Sequence, residues 1–255
     1  MAYLPFNPER LRIPVLKRVL PSLLKRWAKL TTPGGFRVTS ANGMRFLVRC
    51  DNYVDRHILY YGEFEAEQTR YMGALVKARG VDLFIDVGAN FGYYTVLAAT
   101  KWGIDEVISL EPDPRNFLQL GANVLLNGLI DRVQRIEIAA SDIDGETGFL
   151  MSKDQATGCS HIIEGDAQTH VLARRLDDLI PATGRKIAFK IDVEGYELHV
   201  LRGMTRLLRE NACVLHIESF EEKRSAVTAL LAELGYAEIH AIGPDRYFAP
   251  RARAA

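Results

Sequence analysis

Hydrophobic and polar residues follow two different periods along this chain. Between residues 36 and 49 they alternate one by one on either side of Asn42-Gly43, a pattern that predicts a β-hairpin with an Asn-Gly turn. From Val81 onward short apolar runs are separated by segments of helical period, and this alternation predicts a doubly wound, mainly parallel α/β sheet. We expect strands at 81–87, 106–111, 133–139, 186–193 and 213–219, and helices at 92–102, 114–127, 196–209 and 224–234.

The same patterning divides the chain into three predicted segments. These are a basic amphipathic helical appendage (1–33), a hairpin with a helix at Glu63–Arg79 leading into the core (34–80), and the main domain (81–255). Within the main domain the stretch of about 145–185 breaks the alternation, so we interpret it as an insertion suited to substrate contacts. The tail 235–248 predicts one or two further strands, with an antiparallel edge as one arrangement.

The 32 basic and 32 acidic residues of the whole chain cancel, but basic residues are concentrated in the appendage. Residues 1–40 hold eight basic residues against one acid, Glu9. On a helical wheel Leu20, Leu23 and Trp27 fall in an apolar half opposite most of the basic side chains. Such a helix either lies on an anionic membrane surface or packs as a cap on the core, and the sequence leaves both interpretations open.

Composition narrows the class of protein without naming an activity. The balanced charge argues against nucleic acid as a partner. No apolar run approaches the roughly 20 residues that a membrane span needs, and the N-terminal residues lack the pattern of a secretory signal. The cysteines Cys50, Cys159 and Cys213 are widely spaced, so we expect reduced thiols in a cytoplasmic protein and no structural zinc.

A glycine-containing turn follows the strand predicted at 81–87. In F-I-D-V-G-A-N-F-G-Y-Y-T (84–95) the strand runs into Gly88 and Gly92 and then into a helix, so we expect bare backbone N–H groups and a helix N-terminus to face a ligand. The next strand ends in Glu111, where an acidic residue suits the two hydroxyl groups of a ribose. The turn therefore predicts a nucleoside site.

The turn departs from the dinucleotide pattern G-x-G-x-x-G. Asn90 and Tyr93 occupy its second and third glycine positions, and Asp86 adds a negative charge that disfavours a pyrophosphate and favours a cationic ligand. The pattern D-x-G-x-N-x-G, followed by Glu111, resembles the S-adenosylmethionine (SAM) site of class I methyltransferases. The resemblance implies that Asp86 lies near the amino-acid end of SAM and that Glu111 binds the ribose. The alternative is an ordinary strand-to-helix turn whose glycines serve packing.

Charged residues recur at the ends of the later strands. Lys190, Asp192 and Glu194 alternate along the fourth strand and so share one face, and His216 and Glu218 do the same on the fifth. Charges seldom enter a central parallel strand without pairing or function, so they are either structural ion pairs or part of a site at the carboxyl ends of the strands.

In the order of its motifs the chain resembles the FkbM family of SAM-dependent methyltransferases. Besides residues 84–95, it carries L-E-P-D-P (110–114), N-x-x-L-N (123–127), A-A-S-D (139–142) and K-I-D-V-E-G-Y-E (190–197). The resemblance implies a Rossmann-like fold and methyl transfer to oxygen, often on a sugar or polyketide hydroxyl. The residues it implies for SAM binding are Asp86, Gly88, Ala89, Asn90, Gly92, Thr95, Glu111, Pro112, Ser141 or Asp142 beside the adenine, and Glu65 from the segment before the first of these strands.

Methyl transfer to an alcohol requires a group that aligns the hydroxyl and takes its proton. We expect Asp192 to lie closest to the reacting methyl, with Glu194 and His216 as further proton acceptors. Lys190 either holds Asp192 ionised or stabilises an alkoxide. Asp192, Glu194 and Glu218 could instead gather a magnesium ion, although the metal-free version is favoured because no metal motif is present.

Two rival functions remain open at this stage. An N-methyltransferase would use the same SAM site, but such enzymes often carry an Asn/Asp-Pro-Pro-aromatic motif where this chain reads D-V-E-G. A non-catalytic nucleoside-fold module, attached to a membrane or partner through residues 10–30, would have no need for Asp86, Glu111 and Asp192. The favoured acceptor is a hydroxyl of a glycan, glycolipid or small molecule.

Overall fold

The computed structural model describes residues 35–163 and 167–251, so the predicted appendage at 1–33 lies outside the described residues. The strands of the described part are β1 Phe36–Ala41, β2 Met44–Arg49, β3 Leu83–Val87, β4 Glu106–Leu110, β5 Val133–Ile136, β6 Ala139–Ala140, β7 Gly145–Leu150, β8 His161–Ile163, β9 Thr169–Arg174, β10 Lys186–Ile191, β11 Ala212–Glu218, β12 Tyr236–Ile242 and β13 Asp245–Pro250. The helices are α1 Tyr53–Tyr61, α2 Ala66–Arg79, α3 Tyr93–Thr100, α4 Pro114–Leu126, α5 Leu176–Leu179, α6 Glu197–Arg202, α7 Thr205–Glu210 and α8 Glu221–Glu233.

β1 and β2 form the predicted antiparallel hairpin. Its turn residues Asn42 and Gly43 both have positive φ, 51° and 78°, as the favoured two-residue hairpin turn requires. Met44, Phe46 and Val48 of β2 are buried in the core, and the hairpin packs on α4. The hairpin is thus part of the main core.

The central sheet of the described chain has seven strands in the order β12-β13-β11-β10-β3-β4-β5. The five strands from β11 to β5 run parallel, and β13 and β12 close one edge as an antiparallel pair. The chain moves outward from β3 to β4 and β5, then returns to the other side of β3 for β10 and β11. The doubly wound fold is therefore confirmed, with its topological switch point between β3 and β10.

The parallel strands are covered on both faces, which explains their continuous apolar runs. Leu83, Ile85 and Val87 of β3 belong to a core cluster that also includes side chains of α6, α7 and α8. Phe84 points to the opposite core, which α2, α3, α4 and the hairpin cover. All five residues of β3 are buried. β3 therefore lies at the centre of the core, and the glycine turn extends from its carboxyl end.

The helices differ from the sequence expectations in three places. The helix expected at 196–209 is two helices, α6 and α7, separated at Gly203 and Met204. Gly203 packs so closely on a neighbouring backbone that a Cβ there would lie 1.9 Å from the carbonyl oxygen of Ser141. Helix α1 was not predicted; Asn52 caps its N-terminus and Gly62, at φ 75°, ends it. Helix α2 begins at Ala66 rather than Glu63, since Glu65 adopts the left-handed conformation.

The insertion at 145–185 is more regular than its polar composition indicated. Its strands β7, β8 and β9 join β6 in a second sheet of four strands, in the order β6-β9-β7-β8, where an irregular stretch was expected at 154–169. Residues Asp154–Cys159 form a 3₁₀ turn between β7 and β8. None of the described helices is long and apolar enough to cross a membrane.

Candidate active site

A cavity opens at the carboxyl ends of β3, β4 and β10, beside the switch point of the sheet. Its floor is formed by Val87, Gly88 and Asn90, and one wall by Leu110, Glu111 and Pro112. The opposite wall consists of Asp192, Val193 and Glu194. Predicted site residues from three separate segments therefore line one cavity, as the strand-end argument requires.

Gly88 lets β3 and β10 approach each other at the cavity floor. A Cβ on Gly88 would lie 1.8 Å from the carbonyl oxygen of Asp192, and the φ of Gly88 is +79°. The N–H of Asp192 donates to the carbonyl of Val87 at 3.0 Å, which continues the parallel pairing one residue past the strands. Gly88 is thus required by the contact that brings Asp192 to the cavity.

The glycine turn does not present free backbone donors, contrary to the expectation from sequence. The N–H groups of Gly88 and Ala89 both donate to the carbonyl of Leu110 at 3.0 Å, and that of Gly92 donates to Ala89 at 2.8 Å. Ala89 and Gly92 do not line the cavity. Gly92 serves packing instead, because a Cβ there would lie 2.4 Å from Leu120 on α4.

Glu111 faces the cavity from the end of β4 and is only 5% exposed. Its carboxylate accepts the N–H of Asn90 at 2.7 Å and the N–H of Asp113 at 2.8 Å, one on each oxygen. Burial raises the pKa of Glu111 to about 8, against the lowering effect of these two hydrogen bonds. Each oxygen keeps a further lone pair, so the group can still accept from a ligand hydroxyl.

Asp192 and Lys190 form an ion pair at the end of β10. Lys190 Nζ lies 2.7 Å from Asp192 Oδ2, with the lysine 4% exposed and the aspartate facing the cavity. Burial alone would lower the pKa of Lys190, but Asp192, Glu65 and Glu218 hold it above its ordinary value. Lys190 is therefore a permanent buried cation that fixes the Asp192 carboxylate from behind.

Glu194 continues the same wall in a left-handed backbone conformation, with φ of 52°. Burial and the neighbouring carboxylates Asp192 and Glu197 raise its pKa to about 7. Asn90 on the floor and Glu65 behind the site also have positive φ. Such conformations are costly for residues other than glycine and cluster at functional sites.

A row of polar residues crosses the sheet beneath the cavity on one face. Cross-strand pairing places Asp86, Lys190, His216 and Tyr247 side by side on β3, β10, β11 and β13. Asp86 is 2% exposed, and it accepts the Thr95 hydroxyl at 2.6 Å. Burial raises the pKa of Asp86 to about 6.

Several residues expected at the ligand lie in this buried layer instead. Asp86 and Thr95 join β3 to α3 and do not line the cavity. Glu65 accepts the hydroxyl of Tyr94 at 2.6 Å, and Lys190 Nζ lies 5.2 Å from the centre of the Tyr94 ring. Glu65 therefore supports Lys190 from behind the cavity wall.

His216 is also withdrawn from the cavity, contrary to its expected role as a proton acceptor there. Its Nε2 lies 2.7 Å from Asp245 Oδ1, its ring stacks on Tyr247 at 4.6 Å, and it is completely buried. Burial lowers the pKa of His216, which favours the neutral ring. The structure gives it a place in the core between β11 and β13.

The expected adenine contacts at the end of the third strand are turned away as well. Asp142 lies 3.0 Å from Nδ1 of His199, and the buried Ser141 hydroxyl is 3.4 Å from that of Tyr196. Neither lines the cavity, whose wall at this point is made by Ile138, Ala139 and Ala140. This wall is apolar, so it suits the face of a ring better than a hydrogen-bonding edge.

Residues that sequence reasoning missed come from α4 and the insertion. Phe149, Asn116, Thr157, Gly158, Ser160, His161 and Ile162 also line the cavity. We call residues 157–162 the roof segment. Asn52 Nδ2 donates to the Thr157 hydroxyl at 2.8 Å, and the Ser160 hydroxyl donates to Asp113 at 2.9 Å. The only signal in the sequence was the position of the insertion, which was expected to carry substrate contacts.

No group of three or more His, Cys, Asp or Glu side chains in the described part of the chain is arranged to hold a metal ion. The structure thus does not bring Asp192, Glu194 and Glu218 together as a set of ligands. Glu218 does not line the cavity; burial and the nearby Asp192 raise its pKa to about 8.

A doubly wound sheet with an antiparallel edge pair, and a cavity at its switch point lined by an acid from the second strand, are typical of class I methyltransferases. Within that class, the chain belongs to the FkbM family: the family model described as "Methyltransferase FkbM domain" matches residues 86–237, more than half of the chain. It is a SAM-dependent methyltransferase by family.

Two curated relatives bear methyltransferase names. Hexuronic acid methyltransferase AglP of Haloferax volcanii is 28% identical over 174 residues, which cover 67% of this chain and 70% of that protein. Methyltransferase 1 of Beauveria bassiana is 24% identical over 143 residues, or 47% of this chain and 57% of that protein.

The solved structures that this chain resembles include an FkbM methyltransferase and a protein bound to AdoMet. FkbM methyltransferase from Methylobacillus flagellatus has a TM-score of 0.49 and 20% identity, and the match covers 66% of this chain but only 43% of that one. The M. jannaschii TYW2 structure in complex with AdoMet has a TM-score of 0.45 and 15% identity, covering 86% and 89% of the two chains.

Proposed function

We propose that this chain transfers the methyl group of SAM to a hydroxyl group of a sugar, glycan, glycolipid or polyketide-type acceptor, in the cavity at the switch point. The observation that carries the proposal is that Glu111 and Asp192, carboxylates from the ends of two parallel strands, line one cavity. Family membership supports methyl transfer. The name of the Haloferax relative, a hexuronic acid methyltransferase, supports a sugar-type acceptor.

The cavity has side chains that suit the ribose, the adenine ring and the sulfonium of SAM. Glu111 can accept hydrogen bonds from the ribose hydroxyls, because both of its oxygens are fixed by backbone N–H groups and still have lone pairs. Ile138 and Ala140, with Phe149 nearby, offer an apolar surface for the adenine ring. Asp192 and Glu194 offer negative charge for the sulfonium end. When bound, SAM supplies a methyl group already activated for displacement.

Asp192 is our candidate for the group that takes the hydroxyl proton. Its carboxylate lines the cavity, and Lys190 fixes one of its oxygens at 2.7 Å, so the other oxygen is held towards the cavity. A hydroxyl is a weak nucleophile until its proton is removed, and a positioned carboxylate can accept that proton during the transfer. Lys190 remains protonated and contributes by orienting Asp192.

Glu194 is a second carboxylate on the same wall. Its raised pKa of about 7 makes it a suitable partner for a proton leaving the acceptor near neutral pH. We assign it a supporting place, because Asp192 has a fixed orientation and Glu194 does not.

The proposal predicts that Asp192→Asn lowers turnover by about a hundredfold or more, while SAM affinity changes much less, because proton acceptance is worth roughly that factor. The measurement combines calorimetric titration with SAM and transfer of labelled methyl groups to a panel of sugar, glycolipid and polyketide alcohols and the corresponding amines. Glu233→Gln, an exposed carboxylate on α8, is the control.

Three results would contradict the proposal in different ways. Unchanged turnover in Asp192→Asn would remove the assigned proton acceptor. Methylation of amines and not of alcohols would indicate an N-methyltransferase. Absence of SAM binding would leave a non-catalytic nucleoside-fold module.

A further inference from the structure

The charged side chains of the cavity wall are almost all of one sign. Glu111, Asp192 and Glu194 line it, and no lysine or arginine is among the described lining residues. His161 is the one lining side chain that can become cationic among the residues that the structure describes. The cavity is therefore acidic, and its ionised carboxylates present negative charge to a ligand.

The three carboxylates are not equivalent in position. Both oxygens of Glu111 accept backbone N–H groups at the end of β4. Asp192 and Glu194 lie together past the end of β10, on the wall opposite Glu111. Within residues 35–163 and 167–251 the Glu194 carboxylate has no hydrogen-bond or ion-pair partner. Negative charge is thus concentrated at the β10 side of the cavity, where one carboxylate is unpaired.

Lys190 does not cancel this charge. It is buried behind the wall, and its single positive charge interacts with Asp192, Glu65 and Glu218 together. With Glu194 included, four carboxylates surround one lysine. The backbone after Glu194 is anchored, since Gly195 donates its N–H to the Glu197 carboxylate at 2.7 Å and Lys223 donates to the carbonyl of Gly195.

We infer that Glu194, with Asp192, makes this cavity select the positively charged SAM over its neutral demethylated product, S-adenosylhomocysteine (SAH), so that product leaves readily after each transfer. The inference rests on the proposed function and adds a specificity-determining role for Glu194. The two molecules differ by one methyl group and one positive charge at sulfur. A carboxylate near that sulfur stabilises the charged form, and the attraction disappears when the charge is lost in the transfer.

The test compares the dissociation constants of SAM and SAH for the full chain by calorimetry at low salt. We expect SAM to bind about tenfold more tightly than SAH, the order of effect that a partly solvated carboxylate exerts on a nearby cation. Sinefungin, which carries an ammonium group in place of the sulfonium, should bind like SAM.

Matched variants assign the effect to its residues. Glu194→Gln keeps the side-chain shape and should reduce the preference for SAM to about threefold or less, mainly by weakening SAM. Asp192→Asn should reduce it further, because Lys190 would then face the cavity without its partner. Glu233→Gln, exposed on α8 and outside the cavity, should leave the preference unchanged.

A pH series on the unmodified chain tests the same inference without a substitution. Burial, Asp192 and Glu197 raise the pKa of Glu194 to about 7, while His161 and Lys190 lower it. Below that pH the carboxyl group is protonated and cannot stabilise the sulfonium. The SAM-to-SAH preference should therefore rise as pH increases through about 7. The sulfonium charge lowers the pKa of the amino group in SAM relative to that in SAH, so the same pH series on Glu194→Gln is the control for titration of the ligands.

The outcomes separate this inference from the proposed function. Equal binding of SAM and SAH, tighter binding of SAH, or a ratio unchanged in Glu194→Gln and across pH would overturn the inference and leave the proposed function standing. Failure of both molecules to bind would overturn both. A SAM preference that falls in Glu194→Gln and at low pH would support the inference.

Discussion

At the scale of single residues, side chains in the site divide into those that face the cavity and those that hold them. Asp192 and Glu111 face it, and each is fixed by neighbours: Asp192 by Lys190, Glu111 by two backbone N–H groups. Asp86 and His216 belong to the buried layer beneath. Their chemistry made them candidates in the sequence, but alternation along a strand does not reveal which polar residue reaches the end of the sheet.

Gly88 gives a prediction at this scale. Gly88→Ala should destabilise the protein by about 3 kcal/mol, the upper range for one substitution, because the new Cβ would collide with the carbonyl of Asp192. It should also weaken SAM binding, since the β10 end would be displaced. Urea unfolding and calorimetry measure the two effects.

Gly128→Ala is the matched control for this substitution. Gly128 also has positive φ, at 67°, but nothing lies within 4 Å of its missing Cβ. Its substitution should cost only the backbone strain, about 1 kcal/mol. Equal losses for both variants would show that the contact with Asp192 is not what requires glycine.

At the scale of elements, two sets of contacts position the segments that surround the cavity. Asn123 and Asn127 of the N-x-x-L-N motif bond the backbone of β2: Asn123 accepts the N–H of Leu47 at 2.6 Å and Asn127 that of Arg45 at 2.9 Å. The roof segment is tied to α1 through Asn52, which also caps that helix. These contacts hold α4 against the hairpin and the roof segment against α1.

We predict that the hydrogen bond between Asn52 and Thr157 slows the dissociation of SAM. Thr157→Val removes the hydroxyl that accepts from Asn52 and leaves the cap of α1 intact, so a buried donor loses its partner at a cost of about 1–3 kcal/mol. We expect SAM to dissociate about fivefold faster or more, measured by stopped-flow fluorescence or competition. Thr147→Val, on β7 of the same sheet, is the control. Equal dissociation rates would show that the roof does not retain SAM.

At the scale of the whole molecule, the sheet order brings together residues distant in sequence. β10 inserts beside β3 after a separation of about a hundred residues, and that single pairing places Asp192 against Gly88 and opposite Glu111. The antiparallel pair β12 and β13 then covers the outer edge and supplies Asp245 to His216. Pairing between distant strands is therefore what assembles the site.

The basic segment at 10–30 lies outside the described residues, and its amphipathic sequence leads to a prediction for the full chain. If it binds an anionic membrane surface, as a lipid-linked acceptor would suit, the full chain should float with vesicles rich in phosphatidylglycerol and not with neutral ones. Replacing Lys17, Arg18, Lys25 and Lys29 with glutamate should abolish flotation. Flotation that is absent, or equal in this variant, would favour the alternative of a helix packed on the core.

The sequence by itself determined the layered α/β fold, the hairpin and the family. These depend on local period, turn residues and motif order, which a single segment can show. It also placed Glu111, Asn90, Asp192 and Glu194 at the cavity, because residues at the carboxyl ends of adjacent parallel strands must meet.

Only the tertiary structure decided which polar groups face the ligand. The saturated N–H groups of the glycine turn, the withdrawal of Asp86 and His216, and the arrival of Thr157 and Phe149 all depend on contacts between segments far apart in sequence. The period of apolar and polar residues indicates on which face of a strand a side chain lies. Whether that face is open or covered depends on what the rest of the chain packs against it.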